Sequence, residues 1–255
     1  MLVATVLYNL LFFSLGWRMP AIDTHLQHQD ISSELLTNFT LFSEYSAAAT
    51  CEANFNSQGS KVVCDPGVCP VLDQTDTTVI AGFVGCNPGN VTGFLAVDRT
   101  NALIVLSFRG TRTLGNWITD FEWGQVPICG ICPGCQVHHG YYYAWGNFSQ
   151  HIMPSVNQLA SQYPDYSIVF TGHSFGGALA TLGAVFQEIP GKLINLYSTT
   201  SPEYWITSGN GMPVNTSDIQ EIVGIDNKSG NLGTTGLNLA DHNWYIGNMS
   251  GCATN

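Results

Sequence analysis

Gly172-His173-Ser174-Phe175-Gly176 sets a serine hydroxyl between two glycines. The apolar run Ser167-Ile168-Val169-Phe170 precedes it, and the stretch from Ala178 to Phe186 that follows is rich in helix formers. Strand, sharp turn and helix form the setting that makes such a pentapeptide a nucleophile elbow. A turn that sharp strains the serine backbone, and Gly172 and Gly176 remove Cβ atoms that would crowd it. Ser174 Oγ would then stand at the head of a helix, where backbone dipoles favour developing negative charge. The predicted chemistry is nucleophilic attack on a carbonyl carbon. A plain Gly-rich strand-to-helix turn is the competing reading, and both flanks speak against it.

Attack on a carbonyl needs donors for the oxyanion. Phe108-Arg109-Gly110-Thr111-Arg112 ends an apolar run with a glycine and then a hydroxyl. Thr111 is one candidate donor, and the backbone N–H of Phe175, the residue after the nucleophile, is the second. Just beyond, Leu114, Trp117, Ile118 and Phe121 recur at i, i+3, i+4 and i+7, one face of a helix. An apolar-faced helix between Gly110 and Gly124 suits a lid over an apolar cleft, with Trp117 offered to a lipid surface when open. A plain core helix is the alternative reading of the same pattern.

The eight cysteines form an even set. Cys129, Cys132 and Cys135, with His138 three residues on, could make a Cys₃His zinc site, and Cys132-Pro-Gly-Cys135 a redox pair. Both are set aside, because the cluster lies in a Gly/Pro-rich loop and no helix starts after Cys132; no metal and no cofactor is expected. Cys64 and Cys69 flank a tight turn, and a bond between Cys51 and Cys252 would clamp the ends of the folded part. Eight cysteines allow 105 pairings, so sequence alone leaves the framework open.

The elements that must hold these residues follow from periodicity. Residues Ile31 to Ala49 read as a helix. Thr77 to Val84, Gly93 to Val97 and Ala102 to Phe108 read as strands, the last two joined as a hairpin. A long helix is predicted over Tyr142 to Gln162, bent at Pro154. The nucleophile strand and helix come next, then a strand at Leu193 to Tyr197. The alternation predicts an α/β fold with a mostly parallel central sheet flanked by helices. No repeat or linker breaks residues 30–255, which read as one domain.

Composition narrows the partners. The formal net charge is −11 with only 7 Lys+Arg, which argues against nucleic acid. Residues 1–17 form an uncharged apolar leader of the secretory type. Six N-x-[ST] sequons, at Asn38, Asn90, Asn147, Asn215, Asn227 and Asn248, and the even cysteine set agree with export to an oxidising, extracellular compartment.

The combination of segments resembles the filamentous-fungal lipase family of α/β-hydrolases, which also includes feruloyl esterases. The segments are Ile104–Arg112, Asn116–Ile118, Cys132–Cys135 with His139-Gly140, Pro164–Thr181, Ser201–Ile206 and Asp241–Tyr245. The resemblance implies Ser174 as nucleophile, Thr111 and Phe175 as oxyanion donors, and His242 as general base. It also implies disulfides Cys51–Cys252, Cys64–Cys69 and Cys132–Cys135, which leaves Cys86 and Cys129 to pair by guess. The activity it implies is a secreted, monomeric carboxylic-ester hydrolase, first of all a triacylglycerol lipase acting at a lipid–water interface. A feruloyl esterase is the near alternative, and a catalytically impaired, lipid-binding protein on the same scaffold the distant one.

One family feature does not carry over. The triad acid follows a further parallel strand in these lipases, yet here Asn195-Leu196-Tyr197-Ser198 runs almost straight into Thr199-Thr200-Ser201-Pro202-Glu203. A few dozen residues, with one central strand and the aspartate, lack a counterpart. Glu188, Glu203, Asp218, Glu221, Asp226 and Asp241 remain between nucleophile and base, and none earns the role, so the acid is unassigned. A mis-spliced gene model, an inactive isoform and a paralogue with a substitute acid all fit; the first is preferred.

Overall fold

The computed structural model describes residues 30–87, 89–111, 124–128, 136–186, 202–224, 227–230, 233 and 239–252. The leader, the lid-like face, Cys129, Cys132, Cys135, Glu188, Asp226 and the Leu193–Tyr197 strand lie outside them.

Helix α1 (Ser33–Ala48) opens on Ser32, whose Oγ accepts the Leu35 N–H at 3.1 Å. That supplies one of the donors a helix start leaves without an acceptor. Three strands follow: β1 (Thr77–Cys86), β2 (Val91–Asp98) and β3 (Leu103–Phe108). They pair antiparallel in series, and β3 then pairs parallel with β6 (Ser167–Gly172). The described central sheet, in the order β1-β2-β3-β6, is thus mixed rather than mostly parallel. Only β3 and β6 are joined by a helical crossover, which is the connection a parallel pair requires.

Both faces of this sheet are covered, which explains why β2 is buried along its whole length. Alternate residues go to opposite sides. Phe94, Ala96 and Val105 pack with Leu41 and Tyr45 of α1. Leu95, Val97, Ile104, Leu106 and Phe108 pack with Trp145, Phe148 and Val156 of α2 (His139–Gln162) and Leu179 of α3 (Phe175–Phe186). On the α1 side the core is closed by polar bonds. Tyr45 Oη donates to the fully buried Asp98 at 2.8 Å, and the other lone pairs of Asp98 accept from the Thr100 and Asn101 N–H groups at 2.9 and 3.1 Å. The carboxylate therefore fixes the β2–β3 turn while remaining fully satisfied, as a buried charge must be.

Two small hairpins lie apart from this sheet. One joins β4 (Gln125–Pro127) to β5 (Gln136–His138), and the other joins β7 (Glu203–Ile206) to β8 (Ile219–Ile222). Helix α4 (Leu239–His242) is a single turn near the C-terminus. Disulfide Cys51–Cys252 ties the end of α1 to that terminal segment across a sequence separation of 201, and Cys64–Cys69 closes its tight turn. Cys86, at the end of β1, is half-buried and has no disulfide partner among the described residues; its expected partner Cys129 lies outside them.

Candidate active site

Strand β6 delivers the chain into the elbow. Its last residue, Gly172, pairs with Phe108, the last residue of β3. Ser174 takes φ 55°, the left-handed region that non-glycine residues avoid. Such a residue costs about 1–3 kcal/mol and persists only when its surroundings over-determine it. Here they do, by close approach. A Cβ on Gly172 would collide with the Gly176 carbonyl, and one on Gly176 with the Phe108 carbonyl. Backbone bonds from Gly176 N–H to His173 O at 2.9 Å and from Gly177 N–H to Ser174 O at 3.0 Å start α3 immediately.

The oxyanion turn lies against this bend. A Cβ on Gly110 would come within 3.0 Å of the His173 carbonyl oxygen and 3.3 Å of Ser174 Cβ. Thr111 is the next residue, and its Oγ1 is buried without a hydrogen-bond partner among the described residues. A buried hydroxyl in that state is costly unless something arrives to accept from it. Phe175 opens α3 at its positive end. Gly110 thus sets the turn that leads into Thr111 against the bend of Ser174 and Phe175.

His242 reaches the same place from the last turn of α4. It is 7% exposed and stands beside His173, ring centroids 4.6 Å apart. His173 Nε2 bonds the His242 carbonyl oxygen at 2.7 Å. Among the described residues neither ring nitrogen of His242 has a partner, so the ring does not bond the Ser174 hydroxyl and donates to no orienting carboxylate. Burial first, and the neighbouring His173 second, lower the His242 pKa to about 4. Burial likewise lowers His173 to about 4, against the pull of its bond to the His242 carbonyl. Both imidazoles are therefore neutral at physiological pH, which is the form a general base needs.

Among the described residues no carboxylate bonds the His242 ring. Asp218 accepts from the Asn215 N–H at 2.7 Å, closing its own turn, and Glu203 sits on β7 beside Ile222 of β8. Asp241 precedes His242 in α4, and its neighbour's ring does not bond it. Among the described residues no group of three His, Cys, Asp or Glu side chains could hold a metal ion. His138 lies within the described residues, whereas its three candidate cysteine partners do not. His173, set between Gly172 and Ser174, is a further residue that the structure brings against His242.

The chain has known relatives. The lipase (class 3) family matches residues 105–205. Secreted mono- and diacylglycerol lipase A of Penicillium cyclopium is 32% identical, over 91% of this chain and 90% of its own length. The chain belongs to the class 3 lipases. A second relative of this lipase, secreted mono- and diacylglycerol lipase 1 of Fusarium solani, is 29% identical over 99% of this chain and 90% of its own. The crystal structure of mono- and diacylglycerol lipase from Aspergillus oryzae superposes with a TM-score of 0.71 at 28% identity. It covers 83% of this chain and 96% of that one. The class 3 lipase described here is therefore a hydrolase with the α/β-hydrolase fold.

Proposed function

We propose that this lipase is secreted and hydrolyses acylglycerol esters through a Ser174 acyl-enzyme. The observation that carries the reading is a serine held at φ 55° between β6 and α3, with the buried His242 ring packed against that of the adjacent His173, centroids 4.6 Å apart. His242 turns toward Ser174 and accepts the Oγ proton as Oγ attacks the ester carbonyl. The Thr111 hydroxyl and the Phe175 N–H stabilise the oxyanion. His242 then gives that proton to the leaving alcohol. A water molecule, deprotonated by the same ring, attacks the acyl-enzyme and frees the fatty acid and Ser174.

Mono- and diacylglycerols are the preferred substrates in this reading, ahead of triacylglycerol. Its support is that the relatives matching nine tenths of their own length are named for partial glycerides. Their names also support secretion, together with the two disulfides. No partner chain is needed for the chemistry, so the working form is a monomer meeting lipid.

A second reading, an impaired lipase, is favoured by the unpartnered His242 ring. The alignment with the Penicillium relative runs over 282 residues, longer than this 255-residue chain, and so supports a loss of internal positions. Rates on dioleoylglycerol, trioleoylglycerol and methyl ferulate, with Ser174→Ala as control, separate the readings. Turnover of the diglyceride that vanishes in Ser174→Ala supports the first. No Ser174-dependent turnover of any ester at high enzyme concentration would leave only the second.

A further inference from the structure

His173 is covalently attached to the nucleophile and hydrogen-bonded to the backbone of the base. A carbonyl oxygen only accepts, so in the 2.7 Å contact Nε2 must carry the proton and donate it to His242 O. The neutral ring is then fixed as one tautomer, with Nδ1 as its lone-pair side. That side faces Gly110, where a Cβ would approach Nδ1 to 3.2 Å. The other face is closed by Tyr245, whose ring stands edge-on with centroids 5.9 Å apart. At 8% exposure the ring has few places to go.

His242 lacks comparable restraint of its own. No described residue bonds either ring nitrogen, and α4 is one turn long. The bend at Ser174 and the segment carrying the base come from distant parts of the chain, and the His173 side chain spans them directly. We infer that His173 is a positioning residue for ester hydrolysis: its Nε2–H, bonded to the His242 carbonyl, sets where the base stands relative to Ser174 Oγ. The inference rests on the hydrolytic reading above and deepens it. It also explains why this residue must be uncharged: a cation at that distance would oppose formation of the His242 imidazolium during attack.

A histidine that merely fills space would be replaced equally well by any side chain of similar bulk. A histidine acting through its donor would be replaced only by a side chain that puts an N–H in the same place. Glutamine is long enough to present its amide N–H near the ring Nε2 position; asparagine is equally polar and too short; leucine fills space without a donor. The test compares His173→Gln, His173→Asn and His173→Leu in the full chain, with kcat and KM on a soluble nitrophenyl ester and circular dichroism for fold. Misplacing a catalytic group by about 1 Å costs up to about 100-fold. We expect His173→Asn and His173→Leu to lose about 10- to 100-fold in kcat with KM nearly unchanged, and His173→Gln to stay within about threefold of wild type. Equal rates for Gln and Asn overturn the proposal, and so does near-wild-type kcat in a folded His173→Leu. Should His173→Leu not fold, the Gln-to-Asn ratio decides alone. Ser174→Ala separates the two ideas, since equal turnover by it and wild type refutes the hydrolytic reading only. Positioning is then read from the His242 ring proton in NMR spectra, which His173→Asn should shift or broaden and His173→Gln should leave in place. An unchanged signal in His173→Asn overturns it.

Discussion

The two halves of the site are held by different physics. On the serine side the constraint is steric and local: Gly172 meets the Gly176 carbonyl, Gly176 meets the Phe108 carbonyl, and the ladder from Leu103–Ser167 to Phe108–Gly172 fixes both rows. On the histidine side the constraint is long-range. The His173 bond to His242 O, backbone bonds from Gly251 N–H to Ala47 O at 3.0 Å and from Asp65 N–H to Gly251 O at 2.7 Å, the Ser43 Oγ bond to Met249 Sδ at 3.4 Å and the Cys51–Cys252 bridge tie that segment to the body. The proposed nucleophile is therefore pre-organised by local sterics, whereas the proposed base is placed by contacts distant in sequence.

The sharpest way to test that asymmetry is to remove each partner. Ser174→Ala should lower kcat on a nitrophenyl ester by about 10⁴-fold or more and abolish labelling by a serine-directed phosphonate. His242→Ala should cost less, about 100-fold, because a base without an orienting carboxylate contributes less than the usual general-base factor. Equal losses would erase the proposed difference between the two sides. Thr111→Val should lower kcat by about 100-fold with little change in KM, as for one oxyanion donor.

Stability gives a second view of the same contrast. Gly176→Ala should destabilise by about 3 kcal/mol in urea melts, since the β3 backbone cannot retreat without breaking the sheet. Cys252→Ser should cost about 2–4 kcal/mol by freeing a long loop. The smallest effect is with pH. His173 and His242 have folded pKa values of about 4, below the ordinary 6.5, so unfolding takes up protons between those values. Stability should be full above about 6.5 and decline as pH falls toward 4. The acidic limb of kcat/KM should lie near 4 in place of 6.5, and a limb at 6.5 would show that His242 is solvated in the free enzyme.

The same division explains what the sequence disclosed. The elbow was legible because its cause is local: two glycines at fixed offsets, an apolar run before and helix formers after. The β2–β3 hairpin was legible for the same reason, its observed register running from Gly93–Phe108 to Asp98–Leu103. Strand β1 extends to Cys86, past the expected Val84, and α2 begins at His139 in place of Tyr142, because pairing partners and the β5 strand decide those ends. The hairpin of β4 and β5 was missed, since three-residue strands carry no period to detect. His242 entered only by resemblance, as nothing within its own neighbourhood announces a base. Its contact with His173 depends on tertiary packing alone, and no spacing rule could have found it.

The pairing of Phe108 with Gly172 has one more outcome. The loop bearing Thr111 and the bend bearing Ser174 leave the same rung of a single ladder, on neighbouring rows. On the proposed mechanism, any strain, solvent or heat that parts those rows disarms attack and anion capture in the same event. Phosphonate titration should therefore count the molecules whose ladder is closed, and the titre should decline in step with amide exchange at Phe108.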